Sequence, residues 1–156
     1  MIDKPLSDNE DVVRAIFSPL MIDENGNLSR AAFSLRHNED YISVCRTSVP
    51  TWLEDVHSIP ENENRKLFGY CVLNVFSVRS LGFYYRNYNV CFEVCEKHTP
   101  KNKSHAGIFV LLNNQVLKGD RKTILKNIPE DVPSDALSMR YQRRLLDIAA
   151  KKFIVL

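Results

Sequence analysis

Two apolar runs flanking one polar loop constrain this chain more than any other feature. Val90-Cys91-Phe92-Glu93-Val94-Cys95 and Ala106-Gly107-Ile108-Phe109-Val110-Leu111-Leu112 are rich in Val, Phe and Ile. These side chains suit a pleated, half-buried surface, so each run predicts a strand. Between them, Glu96 to His105 is polar, carries Lys97, Lys101, Lys103 and His98, and includes Pro100, which lacks the N–H that a ladder needs. The segment is a loop projecting from a strand pair. Rigid strands commonly present binding groups on such loops.

Similar logic applies along the rest of the chain. Tyr41 to Arg46 alternates between two faces and predicts a strand. Leu67 to Val78 is the longest, nearly continuous apolar run, which predicts one strand buried on both faces at the centre of the sheet. Val12 to Phe17 follows Ser7-Asp8-Asn9-Glu10, which has the form of a capping box, and is stopped by Ser18-Pro19; it reads as a short helical turn feeding a strand. Asn25-Gly26 marks a tight turn. A short helix is expected from Ser48 to Val56. A longer amphipathic one is expected after Ser134-Asp135, with Leu137, Tyr141, Leu145, Ile148 and Ala149 as its apolar stripe. Phe153 to Leu156 reads as a short edge strand. Roughly seven short strands and one late helix give an α+β fold: a predominantly antiparallel sheet with short helices and one C-terminal amphipathic helix, in a single domain over 1–156.

Composition narrows the function classes. A chain of 156 residues supports one sizeable core. Its apolar runs fall well short of the ~20 residues needed to span a bilayer, and its start lacks the pattern of a secretory leader, so a cytoplasmic location without a membrane partner is expected. Cys45, Cys71, Cys91 and Cys95 all lie in apolar runs, where a thiol behaves as a small hydrophobe; reduced core cysteines are expected, and no metal site. The net charge of +2 conceals polarity, because residues 1–66 hold seven Lys and Arg against twelve Asp and Glu, while the rest is basic. Such polarity steers anions toward one end. Phosphate-binding glycine loops, a zinc-protease motif and a nucleophile elbow are all missing from the sequence, and no cofactor is expected.

What remains is a set of cations and an imidazole at strand ends. Arg46 closes one apolar run, Arg79 closes another, and His105 opens a third, with Lys97, Lys101 and Lys103 on the adjoining loop. Arginine grips phosphate or carboxylate in bidentate fashion and histidine exchanges a proton near neutral pH, so these six residues form the candidate ligand-binding set. The alternative is that the arginines pair with acidic neighbours such as Glu39, Asp40, Glu54 and Asp55. No catalytic residue is assigned.

Four short words in the sequence, Val13-Arg14-Ala15, Ser29-Arg30-Ala31-Ala32-Phe33, Ile42-Ser43-Val44-Cys45-Arg46 and Ser104-His105-Ala106-Gly107-Ile108, together with a closing basic helix, resemble a group of small bacterial proteins of uncharacterised function, some of them near mobile-element or conflict genes. The resemblance implies no activity. It does mark Arg46 and His105 as residues to test. Three functional readings follow, in order of preference. The first is a non-enzymatic recognition protein, of accessory, inhibitor or immunity type, binding a partner protein or a small anionic ligand. The second is an enzyme on a nucleotide or NAD-like substrate, with Arg14, Arg46 or Arg79 holding phosphate and His105 or Glu93 as acid or base. The third is a weak nucleic-acid binder using the loop lysines and the C-terminal arginines.

Overall fold

The computed structural model describes residues 4–120 and 125–156. Strands β1 (Asp11–Ser18), β2 (Ile42–Arg46), β3 (Lys66–Asn74), β4 (Phe83–Tyr85), β5 (Tyr88–Glu96), β6 (His105–Leu112), β7 (Gln115–Val116) and β10 (Phe153–Val155) make one eight-stranded sheet. Its order is β10-β3-β1-β2-β6-β5-β4, with β7 folded back onto β6, and every pairing is antiparallel. The short strands β8 (Lys118–Gly119) and β9 (Leu125–Lys126) form a second, two-stranded sheet. Helices α1 (Trp52–His57), α2 (Val75–Arg79) and α3 (Ser134–Ala149) complete an α+β fold with a predominantly antiparallel sheet and one C-terminal amphipathic helix.

The hairpin of β5 and β6 forms from the two runs expected to be strands, with a register from Val90↔Leu112 at one end to Glu96↔Ala106 at the other. β10 lies on the outer edge of β3, as the last apolar residues suggest. Two expectations fail. The segment before Val12 forms a turn, closed by Glu10 N–H on Ser7 O at 3.1 Å and Ser7 N–H on the Glu10 carboxylate at 3.3 Å. No helical turn follows, because the β-branched run from Val12 pairs with β3 along its whole length. The long run Leu67 to Val78 is not one strand either. Asn74 ends β3 and accepts a hydrogen bond from Ser77 N–H at 3.1 Å, the side-chain cap that starts α2. β3 consequently lies next to the edge strand, and the middle of the seven-strand path belongs to β2.

Leu137, Tyr141, Leu145 and Ala149 of α3 are buried, while Ile148 is only partly covered. The helix packs on the short 3-10 turn Arg30–Phe33 and on β3. The Tyr141 hydroxyl accepts a hydrogen bond from Leu35 N–H at 3.0 Å inside this layer. Tyr141→Phe would leave a buried N–H without a partner, and a loss of about 1 to 2 kcal/mol is expected. A urea titration should show a lower midpoint with an unchanged slope; an unmoved midpoint would mean that water replaces the phenol.

Candidate functional site: a cleft where the sheet opens

β1 and β2 pair only at Val12↔Arg46 and Val13↔Cys45. β1 nevertheless continues along β3 as far as Ser18↔Lys66, and β2 along β6 as far as Ile42↔Ile108. Past Val13 the sheet therefore opens between β1 and β2, leaving edge carbonyls that would otherwise take part in the ladder. Arg14, the first residue beyond the last pair, supplies a donor to one of them and ties β1 to the 3-10 turn. Its Nη1 donates to Ser43 O at 2.8 Å, and its Nε donates to Ala32 O in the 3-10 turn at 3.0 Å.

A cleft of about 170 Å³ occupies this opening, lined by Arg14, Ser43, Cys45, Arg65, Asn102 and His105 among others. The hairpin loop forms part of its rim and is held firmly. Ser104 is fully buried, and its hydroxyl donates to the Asp55 carboxylate of α1 at 2.5 Å. Lys97 N–H donates to His105 O at 2.9 Å, and Thr99 and Asn102 close the loop tip on each other. Gly107 is required here for a steric reason: a Cβ at this position would fall 2.6 Å from the Tyr41 ring. That ring packs against both His105 and Phe109, with centroids 5.7 and 5.4 Å away.

The imidazole of His105 bridges two partners. Nδ1 lies 3.1 Å from Lys97 O, and a carbonyl can only accept, so Nδ1 carries the proton. Nε2, 3.3 Å from Ser43 Oγ, is then an acceptor and takes the serine hydroxyl proton in a hydrogen bond. Burial, aided by the charge of Lys97 and opposed by the Lys97 carbonyl, lowers the His105 pKa. The ring is neutral at physiological pH.

Two cations, Arg14 and Arg65, line the cleft. Among the described residues, neither Arg14 nor Arg65 has an acidic oxygen within 4.0 Å. Arg65 sits over the Phe17 ring at 4.1 Å, and its Nε is buried with no hydrogen-bond acceptor. Burial holds the Arg14 pKa down to about 10, with the charge of Glu39 opposing it and those of Arg36 and Arg65 lowering it further. Arg65 is lowered in the same way, by burial and by Arg36. Both remain charged at neutral pH, in a site that an anion would relax. Cys45 is no competing nucleophile, since burial pushes its thiol up, and burial takes Cys71 to about 12.

The six residues expected from the sequence divide among different settings. His105 is in the cleft. Arg46 is not: its Nε and Nη2 donate to Glu10 at 2.9 and 3.1 Å, and its Nη1 lies 3.4 Å from Glu96. Arg79 is likewise engaged, with Nε 2.6 Å from Glu93, Nη1 2.7 Å from Asp8 and Nη2 3.3 Å from Val94 O. Desolvation works against its charge, but the two carboxylates win and raise its pKa. These arginines tie the N-terminal segment to the hairpin, using partners other than Glu39, Asp40, Glu54 and Asp55. Glu93, held by Arg79, is not among the residues lining the cleft. Lys97 lies over the Tyr41 ring at 5.3 Å. Lys101 and Lys103 are exposed on either side of Asn102, at the rim.

Sequence reasoning passed over Ser43, Cys45, Arg65 and Asn102. Ser43 reads as an ordinary strand position, and Arg65 as part of a polar loop. One signal was present. Arg14, Ala32, Ser43 and His105 come from the four short words quoted above, and the fold joins them into one hydrogen-bonded chain: Ala32 O to Arg14, Arg14 to Ser43 O, and Ser43 Oγ to His105. No family model matches the sequence, and searches of curated proteins and of solved structures found no match. Among the described residues no three His, Cys, Asp or Glu side chains converge as a metal set, and no helix is long and apolar enough to cross a membrane.

Proposed function

We propose that the chain is a recognition protein whose ligand is a small anion, bound in the cleft between β1 and β2. The observation that carries this reading is the pair of cleft arginines, Arg14 and Arg65, with no carboxylate within 4.0 Å among the described residues. Desolvated cations are costly unless they are paired, and the two strand-end arginines that the sequence nominated, Arg46 and Arg79, already have their carboxylates. The cleft volume of about 170 Å³ is below the ~300–1,000 Å³ of sites for drug-sized molecules. This favours a phosphate, a sulfate or a small phosphorylated or carboxylated compound over a dinucleotide. The Ser43 hydroxyl and Asn102 supply neutral hydrogen-bonding groups around the charge.

The test is thermal denaturation with inorganic phosphate, sulfate and small sugar phosphates. A ligand at a hundredfold excess over Kd stabilises the native state by about 2.7 kcal/mol. Arg14→Gln and Arg65→Gln should each weaken binding by about 1.5 to 3 kcal/mol, or roughly tenfold to more than a hundredfold, through loss of a charge-assisted hydrogen bond. Arg46→Gln should leave affinity unchanged. Equal protection of wild type and both cleft variants would place the anion elsewhere and sink the reading.

A further inference from the structure

We infer that Ser43 and His105 form a nucleophile–base pair that cleaves a small ester carrying an anionic group. This goes beyond recognition, and it rests on the proposed anion site for the choice of substrate. Ser43 and His105 both line the cleft beside Arg14 and Arg65, and their Oγ and Nε2 atoms are 3.3 Å apart. That separation is slightly longer than the ~2.6–3.2 Å of an engaged nucleophile and base, as such contacts often are without substrate. The third component of such an arrangement is a group that fixes the base's tautomer and direction. Here Lys97 O does so through Nδ1–H at 3.1 Å, while the Tyr41 ring packs on the imidazole. Lys97 O is itself placed by the hairpin, because Lys97 N–H and His105 O pair across its mouth. A histidine serving only for packing needs neither an Nε2 acceptor facing a serine hydroxyl nor an opening onto a cationic cleft.

The step balances with the residues present and water. Arg14 and Arg65 hold the anionic group. The Ser43 oxygen attacks the ester carbon as its proton passes to His105 Nε2; the Oγ–C bond forms, the bond to the leaving alcohol breaks, and that alcohol departs with the proton from Nε2. Water then attacks the acyl carbon and gives a proton to Nε2 as the new C–O bond forms; the Oγ–C bond breaks, the acid leaves, and the proton on Nε2 returns to Ser43.

The experiment uses the whole chain with an alkyl fluorophosphonate, which traps an activated serine by forming an Oγ–P bond as fluoride leaves. Intact mass spectrometry should show one adduct, and peptide mapping should place it on Ser43. His105→Gln should slow labelling at least a hundredfold, and saturating inorganic phosphate should slow the wild-type reaction at least tenfold. Mapping on the wild-type chain does not depend on any variant folding. If phosphate stabilises the protein but Ser43 is not labelled, the pair is inert and recognition alone stands. If Ser43 is labelled and phosphate neither binds nor protects, the nucleophile–base pair stands and the anion reading falls. An adduct on any other residue overturns the inference.

Discussion

Phe33→Ala is expected to remove about 3 to 5 kcal/mol of stability, the cost of emptying a large, fully enclosed aromatic site. Phe33 has no exposed surface and ends the 3-10 turn over which α3 packs. A typical native state is held by about 5 to 15 kcal/mol, so the variant should sit near the edge of folding. Its consequence should extend to the cleft. The same turn presents Ala32 O to Arg14 Nε at 3.0 Å, and a turn that loses its anchor loses its hold on that guanidinium. Urea unfolding monitored by Trp52 fluorescence should report the lower stability, and phosphate protection measured on the folded fraction should weaken with it. A loss under about 1 kcal/mol would mean that the turn is not fixed by its phenylalanine.

The link between a core residue and a site residue explains which parts of the site the sequence could show. Periodicity reports which face of an element is buried, so the β5–β6 hairpin, the stripe of α3 and the edge strand β10 were legible. It does not report where two paired strands separate. β1 and β2 are each continuous in sequence, and the opening after Val13↔Cys45 arises because each finds a longer partner on its other side, β3 and β6 respectively. Arg14 looks from its sequence like an interruption in an apolar strand. In the fold it donates to Ser43 O where the ladder is missing and to Ala32 O of the 3-10 turn.

The same limit accounts for Arg46 and Arg79. Their positions at the ends of apolar runs are visible in the sequence, but their partners are not, because Glu10 and Asp8 belong to a segment that looks like a helix start and folds as a turn. A cation is available to a ligand only if no nearer carboxylate has taken it, and that depends on tertiary neighbours. Asn74 is a case where the signal was local: an asparagine inside an apolar run is a ready helix cap, and giving it that weight would have ended the strand where it ends.

Arg46→Met is expected to cost about 2 to 4 kcal/mol at neutral pH, at or under the ~3–5 kcal/mol for breaking a fully buried pair, since some solvent screens these groups. The Arg46 and Glu10 side chains are 22% and 14% exposed, and Glu96 stands on the other side of the guanidinium at 23%. Removing the cation leaves two carboxylates facing a partly buried gap. The pH dependence separates this loss from a packing defect. In the wild type burial pushes the Glu10 pKa up, but hydrogen bonds from Arg46, Ser48 and Ser7 N–H and the charge of Arg46 outweigh it, and the folded-state pKa lies below the usual 4.5. Glu10 therefore contributes stability in full above the unfolded-state pKa, and that contribution is lost as pH falls through the lower folded value. In Arg46→Met burial acts without the opposing cation, and protonation relieves the site. The difference in urea midpoint between the two proteins should consequently be largest near pH 7 and shrink at pH 4 and below, while phosphate binding in the cleft at pH 7 stays at the wild-type level. A stability gap that is the same at both pH values would show that Arg46 serves by packing its methylene stem, and a loss of phosphate binding in the folded variant would return Arg46 to the ligand site.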